Sequence, residues 1–222
     1  MKIGLILQVR SGSTRFPNKA FVDINGKSLL QRCIELMTRI QIKDLVKIVA
    51  TTSLEEDDKI AFIARQNGIE CYRGNTMDVL DRYWGAAKEF ELEVTARLTG
   101  DNPFIDFEFL QFGLTSLTNI YDNRPHLISS RGTGLSQGLD IEVLNFSAIN
   151  LAKDTHSNQH REHVTSGMYL NPAFQVQLVT GVQRFHDFPR LTIDYEEDLA
   201  PAEHFANSFD YDFRSVFNPK LR

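Results

Sequence analysis

Cysteine is scarce in this chain, since Cys33 and Cys71 are the only two among its 222 residues. Their separation fits neither a disulfide framework nor a zinc cluster. Long hydrophobic runs are lacking as well, and no window approaches the ~20 apolar residues that a membrane-spanning helix needs. The apolar run that follows Met1-Lys2 is too short for a signal peptide. We therefore expect a cytoplasmic protein in a reducing compartment, without a membrane partner.

An excess of basic residues is also missing, because 24 Lys and Arg stand against 29 Asp and Glu and the formal charge is −5. Sequence-independent binding to nucleic acid needs such an excess, so nucleic acid is not an expected partner. The chain has neither Gly-x-x-x-x-Gly-Lys-Ser/Thr nor Gly-x-Gly-x-x-Gly, the usual phosphate-binding signatures. Its length suits one α/β unit, and we predict that residues 1–222 form a single domain.

The sequence does contain a basic loop directly after its first apolar run, residues 3–7, which has the pattern of a buried strand. The loop carries Arg10, Arg15 and Lys19, three hydroxyl side chains and one glycine, and no carboxylate appears before Asp23. Small residues let backbone N–H groups converge on one oxygen cluster, and guanidinium groups add bidentate bonds to phosphate. We predict that this loop binds an anion; the alternative is an ordinary surface loop with solvated cations.

Strand and helix patterns alternate along the first hundred residues, and Ser28 is an expected helix N-cap. The predicted strands are 3–7, 46–52, 69–72 and 94–99, and the predicted helices are 28–40, 55–67 and 77–90. Strands joined by helical crossovers imply an α/β fold with a doubly wound, mostly parallel sheet, in which ligands bind outside the carboxyl ends of the strands. A C-terminal excursion with strand candidates at 139–143, 174–179 and 191–194 follows, whereas 209–222 shows no clear periodicity.

Two aspartates follow or end predicted strands, Asp101 after 94–99 and Asp194 in 191–194. Each alone is more simply a cap or turn residue. Together at the ligand edge of one sheet they favour Mg²⁺, which takes oxygen ligands and often uses only one or two carboxylates beside substrate phosphates. A phosphate-binding loop next to two metal carboxylates predicts phosphoryl or nucleotidyl transfer.

Several stretches of the sequence carry a family resemblance, and they follow one another in order over about residues 3–200. They are Gln8–Lys19, Tyr72–Asn75, Asp78–Tyr83, Thr99–Pro103, Gly138–Val143, Arg161–Thr165 and Leu191–Asp194. Together they resemble the spore-coat polysaccharide biosynthesis cytidylyltransferase family, which is related to the CMP-Kdo and CMP-sialic acid synthetases. The resemblance implies a nucleotidyltransferase domain of nucleotide-diphosphosugar-transferase type, a homodimer, and Mg²⁺-dependent transfer of CMP from CTP to a sugar or sugar acid, with release of pyrophosphate.

Carried over residue by residue, the resemblance also implies a set of site residues. The nucleotide is expected at Gln8, Arg10, Ser11, Gly12, Ser13, Thr14, Arg15, Lys19, Arg73 and Gly74. The catalytic residues are expected to be Arg10, Lys19 and Asp101, and the Mg²⁺ ligands Asp101 and Asp194. The acceptor sugar is expected at Asp140, Glu142, Arg161, Glu162 and His163. The sequence departs from the family at Phe16 and Asn18, where leucine and glycine are usual.

Two other functions remain open at this point. The first is a glycosyltransferase of related fold, which would bind a UDP-sugar or GDP-sugar rather than free CTP. The second is a non-catalytic homologue that binds nucleotide as a subunit of a glycan-assembly complex. The sequence does not identify the acceptor sugar.

Overall fold

The computed structural model describes residues 1–120, 124–179 and 190–209. The strands are β1 (Ile3–Gln8), β2 (Asp23–Ile24), β3 (Lys27–Ser28), β4 (Val46–Thr52), β5 (Glu70–Gly74), β6 (Val94–Thr99), β7 (Leu127–Ser129), β8 (Glu142–Asn145) and β9 (Val176–Leu178). The α-helices are α1 (Leu29–Arg39), α2 (Asp58–Gln66), α3 (Val79–Glu89), α4 (Phe107–Asn119), α5 (Phe146–Thr155), α6 (Asn158–Arg161) and α7 (Leu199–Phe209). No helix in the described ranges is long and apolar enough to cross a membrane.

The central sheet has seven strands in the order β5-β4-β1-β6-β8-β7-β9, while β2 and β3 form a separate hairpin. Strand β1 pairs in parallel with both β4 and β6. Only β8 runs against its neighbours among the described strands of this sheet, since it is antiparallel to β6 and to β7. The prediction of a doubly wound, mostly parallel sheet is therefore confirmed.

Alternation along the strands explains why helices cover both faces of the sheet. In β1, Leu5 and Leu7 belong to the core that α1, α2, α4 and α7 cover, whereas Ile6 belongs to the core under α3 and α5. Successive side chains of a strand point to opposite faces, so an unbroken apolar run fits a strand that is buried on both sides. The strand predicted at 3–7 is confirmed for this reason.

The helix boundaries follow from polar caps that the sequence supplies. Ser28 accepts a hydrogen bond from the Gln31 backbone, and the Gln31 side chain accepts one from Ser28 N, which is a complete capping box. Asp78 caps α3 by accepting from the Asp81 backbone N–H. The three helices predicted before residue 100 are confirmed to within a few residues.

The second half departs from the predicted strands. Strand β8 begins at Glu142, so the strand predicted at 139–143 is wrong over its first three residues, and β9 occupies only the middle of 174–179. The segment 191–194 is not a strand, although Ile193 N donates to the Asp101 carbonyl at 2.9 Å. The segment lies at the end of β6 rather than beside a strand, so its backbone has no neighbouring strand with which to form regular hydrogen bonds. Residues 210–222, which include most of the C-terminal segment without periodicity, lie outside the described residues.

Candidate active site

An open cleft of about 710 Å³ lies at the carboxyl ends of β1 and β6, where the strand order of the sheet reverses. This is the position at which open α/β sheets bind ligands. The loop after β1 forms one side of the cleft, and β8 with the segments that flank it forms the other. Gly100, just after β6, lets the two strands close up, because a Cβ atom there would lie 2.7 Å from the Val9 side chain.

The loop after β1 is fixed from below by a buried carboxylate. Asp57 is fully buried and accepts hydrogen bonds from Ser11 N at 2.8 Å and from the hydroxyls of Ser11 and Thr52. Burial raises the pKa of Asp57, but the hydrogen bonds from Ser11 and Thr52 outweigh it and hold the pKa below its usual value. The Ser11 N–H therefore anchors the loop, and its neighbour Gly12 faces Glu56.

Asn18, which replaces the family's usual glycine, has a φ of 57°. This left-handed region favours glycine, and asparagine tolerates it better than most other residues. Asn18 N also donates to the Ser11 carbonyl at 3.2 Å, which closes the loop. The departure at this position therefore preserves the turn that presents Lys19.

Lys19 joins the two carboxylates that the sequence predicts to share a metal. Its Nζ atom lies 3.4 Å from Asp101 Oδ2, 3.1 Å from Asp194 Oδ1 and 3.0 Å from the Ile193 carbonyl oxygen. The bond from Ile193 N to the Asp101 carbonyl fixes the two segments to each other. Asp101 and Asp194, far apart in sequence, are thus brought to one point by the sheet.

The two carboxylates differ in whether they have an oxygen atom that accepts no hydrogen bond. Asp194 Oδ1 accepts from Arg15 at 2.8 Å as well as from Lys19, and its Oδ2 accepts from Arg190 at 2.6 Å. Asp101 Oδ1 is buried and has no hydrogen-bond partner within the described ranges. The same holds for Asn102 Oδ1, the next residue. Free buried oxygen atoms beside a carboxylate pair suit a hard cation such as Mg²⁺, and a group of three metal-binding side chains is not found among the described residues.

A buried arginine from α3 stands beside the loop. Arg82 is only 2% exposed, lines the cleft, and its Nε atom has no partner in the described part of the chain. Burial, together with the neighbouring guanidinium of Arg10, lowers the pKa of Arg82 to about 10. Within the described residues both guanidiniums bond to backbone carbonyls, Arg10 to Thr76 at 3.1 Å and Arg82 to Asn75, and neither forms a salt bridge. Two adjacent cations without a carboxylate partner, Arg82 buried and Arg10 half-buried, suit an anionic ligand. We call Arg10, Arg15, Lys19 and Arg82 the basic wall.

Three carboxylates line the opposite side of the cleft, and we call Asp140, Glu142 and Glu162 the acidic wall. Glu142 is buried and accepts from Arg97 Nη1 at 2.6 Å and from the hydroxyls of Thr165 and Tyr169, each at 2.8 Å. Burial raises the pKa of Glu142, but the Arg97 charge and these hydrogen bonds hold the pKa below its usual value. Glu142 is therefore a permanent anion whose charge is already matched.

Most of the predicted site residues line this cleft. They are Gln8, Arg10, Ser13, Thr14, Arg15, Lys19, Asp101, Asp140, Glu142, Glu162, His163 and Asp194. Ser11 and Gly12 do not line it, nor do Arg73, Gly74 and Arg161. Arg73 instead bonds to Asp58 and to the carbonyls of Thr52 and Leu54, and Arg161 bonds to Asp78 at 2.6 Å. The roles assigned to all these residues stay predictions.

Three arginines of the cleft were not among the predicted site residues. Arg82 occupies a helix position on the same face as Val79, and Arg97 lies within a strand of buried residues. A charge at a position where the apolar pattern predicts burial is the signal that could have identified both. Arg131, which lies with its guanidinium 5.6 Å from the Tyr169 ring centroid, follows β7 in a loop without such a signal.

Comparison with known proteins gives the site its family. Residues 5–215 match the family model described as cytidylyltransferase. An uncharacterized protein of Methanocaldococcus jannaschii is 31% identical over 235 residues, covering 100% of this chain and 93% of that protein. The spore coat polysaccharide biosynthesis protein SpsF of Bacillus subtilis is 30% identical over 202 residues, covering 87% of this chain and 81% of that protein.

Sugar-acid enzymes and solved structures extend the likeness. The 3-deoxy-manno-octulosonate cytidylyltransferase of Trichlorobacter lovleyi is 34% identical over 108 residues, 48% of this chain and 41% of that enzyme. A cytidylyltransferase from Leptospira borgpetersenii superposes with a TM-score of 0.86 at 26% identity, covering 100% of this chain and 96% of that one. The fold is therefore of nucleotidyltransferase type. Because the family model matches most of this chain, the chain belongs to the cytidylyltransferase family and is a CTP-dependent nucleotidyltransferase.

Proposed function

We propose that this enzyme transfers CMP from CTP to a hydroxyl group of a sugar or sugar acid, releases pyrophosphate, uses Mg²⁺, and supplies a surface polysaccharide. The name of SpsF refers to polysaccharide biosynthesis, and that of the 3-deoxy-manno-octulosonate cytidylyltransferases to a sugar acid, and both names support this acceptor class. One observation carries the proposal: the basic wall faces the cleft beside two carboxylates that share a single ammonium group.

The basic wall is suited to the triphosphate. Arg10 and Arg82 lack carboxylate partners in the described part of the structure, so phosphate oxygens would satisfy them without breaking an existing ion pair. Charge grows on the pyrophosphate as it leaves, and cations that are already in position stabilise this charge without reorganising. The basic wall would hold the α-phosphorus where the acceptor hydroxyl can attack it in line. Such a direct attack requires no covalent enzyme intermediate.

The donor set near Lys19 fits Mg²⁺. Asp101 would supply its free Oδ1 atom, and Asp194 would follow once Lys19 moves from the carboxylates to the phosphates. A bound Mg²⁺ would neutralise phosphate charge beside these two residues. Octahedral Mg²⁺ commonly combines one or two carboxylates with substrate phosphates and water, so two side chains are enough.

Calorimetric titration with CTP and Mg²⁺ tests the proposal. We expect Arg10→Ala and Lys19→Ala each to weaken CTP binding by about 10- to 150-fold, because each loses a charged bond worth ~1.5–3 kcal/mol. Lys43→Ala is the matched control, since Lys43 is exposed and does not line the cleft. Unchanged CTP affinity in both cleft variants would remove the loop from the nucleotide site.

Thermal melting with different nucleotides tests the donor. A ligand that binds only the native state raises the melting temperature, so CTP should raise it more than ATP, GTP or UTP at equal concentration. A larger rise with UTP or a UDP-sugar would favour glycosyl transfer instead. The homodimer and the cytoplasmic location stay predictions, and a monomeric mass at micromolar concentration would contradict the first.

A further inference from the structure

We infer that Asp140 is the base that accepts the proton of the attacking acceptor hydroxyl. This inference rests on the proposed function, because it names the residue that activates the acceptor in that reaction. The choice follows from the position of Asp140 in the cleft and from the bonds that occupy the other carboxylates there. Each of these points is independent of the family likeness.

The backbone around Asp140 is held on both sides. Ile141 N donates to Ser130 Oγ at 2.9 Å, and Ser130 N donates to the Ile141 carbonyl at 3.2 Å. On the other side, Leu191 N donates to the Gln137 carbonyl at 2.9 Å, and this bond ties the segment to the one that ends in Asp194. Asp140 therefore lies on a fixed backbone within the same cleft as the carboxylate pair.

Gly138 makes this connection possible. Its φ of 102° is strained for any residue with a side chain, and a Cβ atom there would lie 2.7 Å from Thr192 N. The segment that carries Asp140 and the segment that carries Asp194 are therefore in direct backbone contact rather than separated by solvent.

The other carboxylates of the cleft are bonded, exposed or proposed for the metal. Glu142 accepts three hydrogen bonds and Asp194 is surrounded by cations. Asp101 contacts Lys19 with Oδ2 at 3.4 Å, and its Oδ1 atom is the proposed metal ligand. Glu162 is exposed to solvent. Asp140 is half-buried and makes no hydrogen bond or salt bridge within the ranges that the structure covers. Its oxygen lone pairs are therefore available to an acceptor hydroxyl.

The electrostatic setting agrees with this role. Burial raises the pKa of Asp140 to about 6, the Glu142 charge adds to the rise, and Arg131 opposes it. A general base works best when its pKa lies near the working pH, because it is then both ionised and basic enough to take a proton. The charged and titratable groups that share the cleft with Asp140 are the basic wall, the carboxylates Asp101 and Asp194, and on its own side Glu142 of β8, Arg97 of β6, Arg131 after β7, and Glu162 and His163 after α6.

The proposed step balances in atoms and charge. Asp140 takes the hydroxyl proton, and the oxygen uses the freed electron pair to form a bond to the α-phosphorus of CTP. The bond between the α-phosphorus and the bridging oxygen breaks, and pyrophosphate leaves with that electron pair. Asp140 then returns the proton to solvent, and no other reactant is consumed.

The test compares the wild type with Asp140→Asn, which keeps the shape of the side chain but cannot accept the proton. Pyrophosphate release from CTP with Mg²⁺ is followed from pH 5 to 8, using 3-deoxy-manno-octulosonate, a neutral hexose, or water alone as the acceptor. We expect the rate of Asp140→Asn to fall about 10²- to 10⁴-fold, the usual contribution of a general base. The decline of the wild-type rate below about pH 6 should be absent from the variant. CTP affinity should stay unchanged, and Asp154→Asn, an exposed aspartate of α5, is the matched control.

Each result has one meaning. A rate of Asp140→Asn within about threefold of wild type, or a variant that keeps the acid decline, overturns the inference and leaves the proposed function standing. A wild type that neither binds CTP nor releases pyrophosphate with any of these acceptors overturns the proposed function itself. If Asp140→Asn does not fold, Asp140→Glu decides, since the base predicts that this longer carboxylate keeps the acid decline and part of the rate, whereas loss of the decline contradicts it.

Discussion

The basic and acidic walls of the cleft carry opposite charge, and they differ further in how that charge is satisfied. Arg10 and Arg82 of the basic wall bond only to backbone carbonyls within the described residues, although they are so close that the Arg10 charge lowers the pKa of Arg82. On the acidic wall, Glu142 is matched by Arg97 and two hydroxyls, whereas the half-buried Asp140 and the exposed Glu162 have no bonding partner within the described residues. The comparison shows that a side chain is available to a ligand when it lacks an ion-pair or hydrogen-bond partner in the protein, and that the net charge of the wall does not decide this.

Asp101 lies in the cleft beside Lys19 of the basic wall, and its replacement should have the largest effect. We expect Asp101→Asn to lower turnover by more than about a hundredfold, because the loss of the proposed direct metal ligand should exceed the 10- to 100-fold cost of losing an outer-shell partner. Melting should change little, since among the described residues the Asp101 carboxylate makes one long contact, to Lys19 at 3.4 Å. Pyrophosphate release and the Mg²⁺ dependence of CTP binding are the measurements. A variant that keeps both would place the metal elsewhere.

Glu142→Gln should be the most destabilising change on the acidic wall. It leaves the Arg97 guanidinium, a buried charge, without its carboxylate, and breaking such a pair costs about 3–5 kcal/mol. Denaturant unfolding at pH 7.5 measures the loss in the free energy of unfolding. A loss below about 1 kcal/mol, the value of an exposed pair, would mean that Glu142 is not a permanent structural anion.

Arg82→Gln should weaken CTP binding by about 10- to 150-fold, corresponding to ~1.5–3 kcal/mol for one charged hydrogen bond. Relief of the neighbouring Arg10 charge should also make the free protein no less stable, because like charges in a buried site repel. Arg65→Gln, an exposed arginine of α2 outside the cleft, is the control. If titration shows equal CTP affinity in both variants, Arg82 does not bind the nucleotide and does not belong to the basic wall.

Asp140→Asn should have a smaller effect on folding than Glu142→Gln, and its direction should be opposite. The pKa of Asp140 is about 6 in the folded protein and about 3.9 in the unfolded chain, so the protonated form favours folding and this stability is lost as pH rises between the two values. The variant avoids that loss and should be more stable by about 1–2 kcal/mol at pH 7.5, allowing for partial exposure. At pH 4 the gain should nearly vanish. Equal melting curves at both pH values would contradict the raised pKa.

Much of the fold could be predicted because the first hundred residues repeat one simple unit. Most strands there are short and rich in apolar residues, and α1 and α3 begin with side-chain caps, Ser28 and Asp78. The second half could not be predicted in this way, since β8 is set by pairing with β6 and β7, and the segment 191–194 is held by single bonds to loops. Such contacts leave no period in the sequence.

The site followed the same division. The basic loop could be predicted because its cations lie close together in the sequence, and Asp101 because it follows a strand at the ligand edge of the sheet. Asp194 lies at the same place, but its segment is not a strand, so the reason for predicting it was wrong. Arg97 and Glu142 lie on separate strands, and only the antiparallel pairing of β6 with β8 makes them partners. Within the described residues Asp140 has no bonding partner, and this depends on neighbours that are distant in sequence. No local sequence pattern could therefore predict it.

Lys19 has a consequence for the order in which ligands load. A metal ion that arrives alone meets an ammonium group already placed between Asp101 and Asp194, at 3.4 and 3.1 Å, and these are the two carboxylates with which Lys19 pairs in the described part of the chain. Nucleotide phosphates would provide another anion for this ammonium. We therefore expect the ion to bind weakly to the free enzyme and CTP to raise its affinity, and by linkage the ion must raise the affinity for CTP by the same factor. A single lysine would thus make the binding of the nucleotide a condition for the binding of the proposed metal ion.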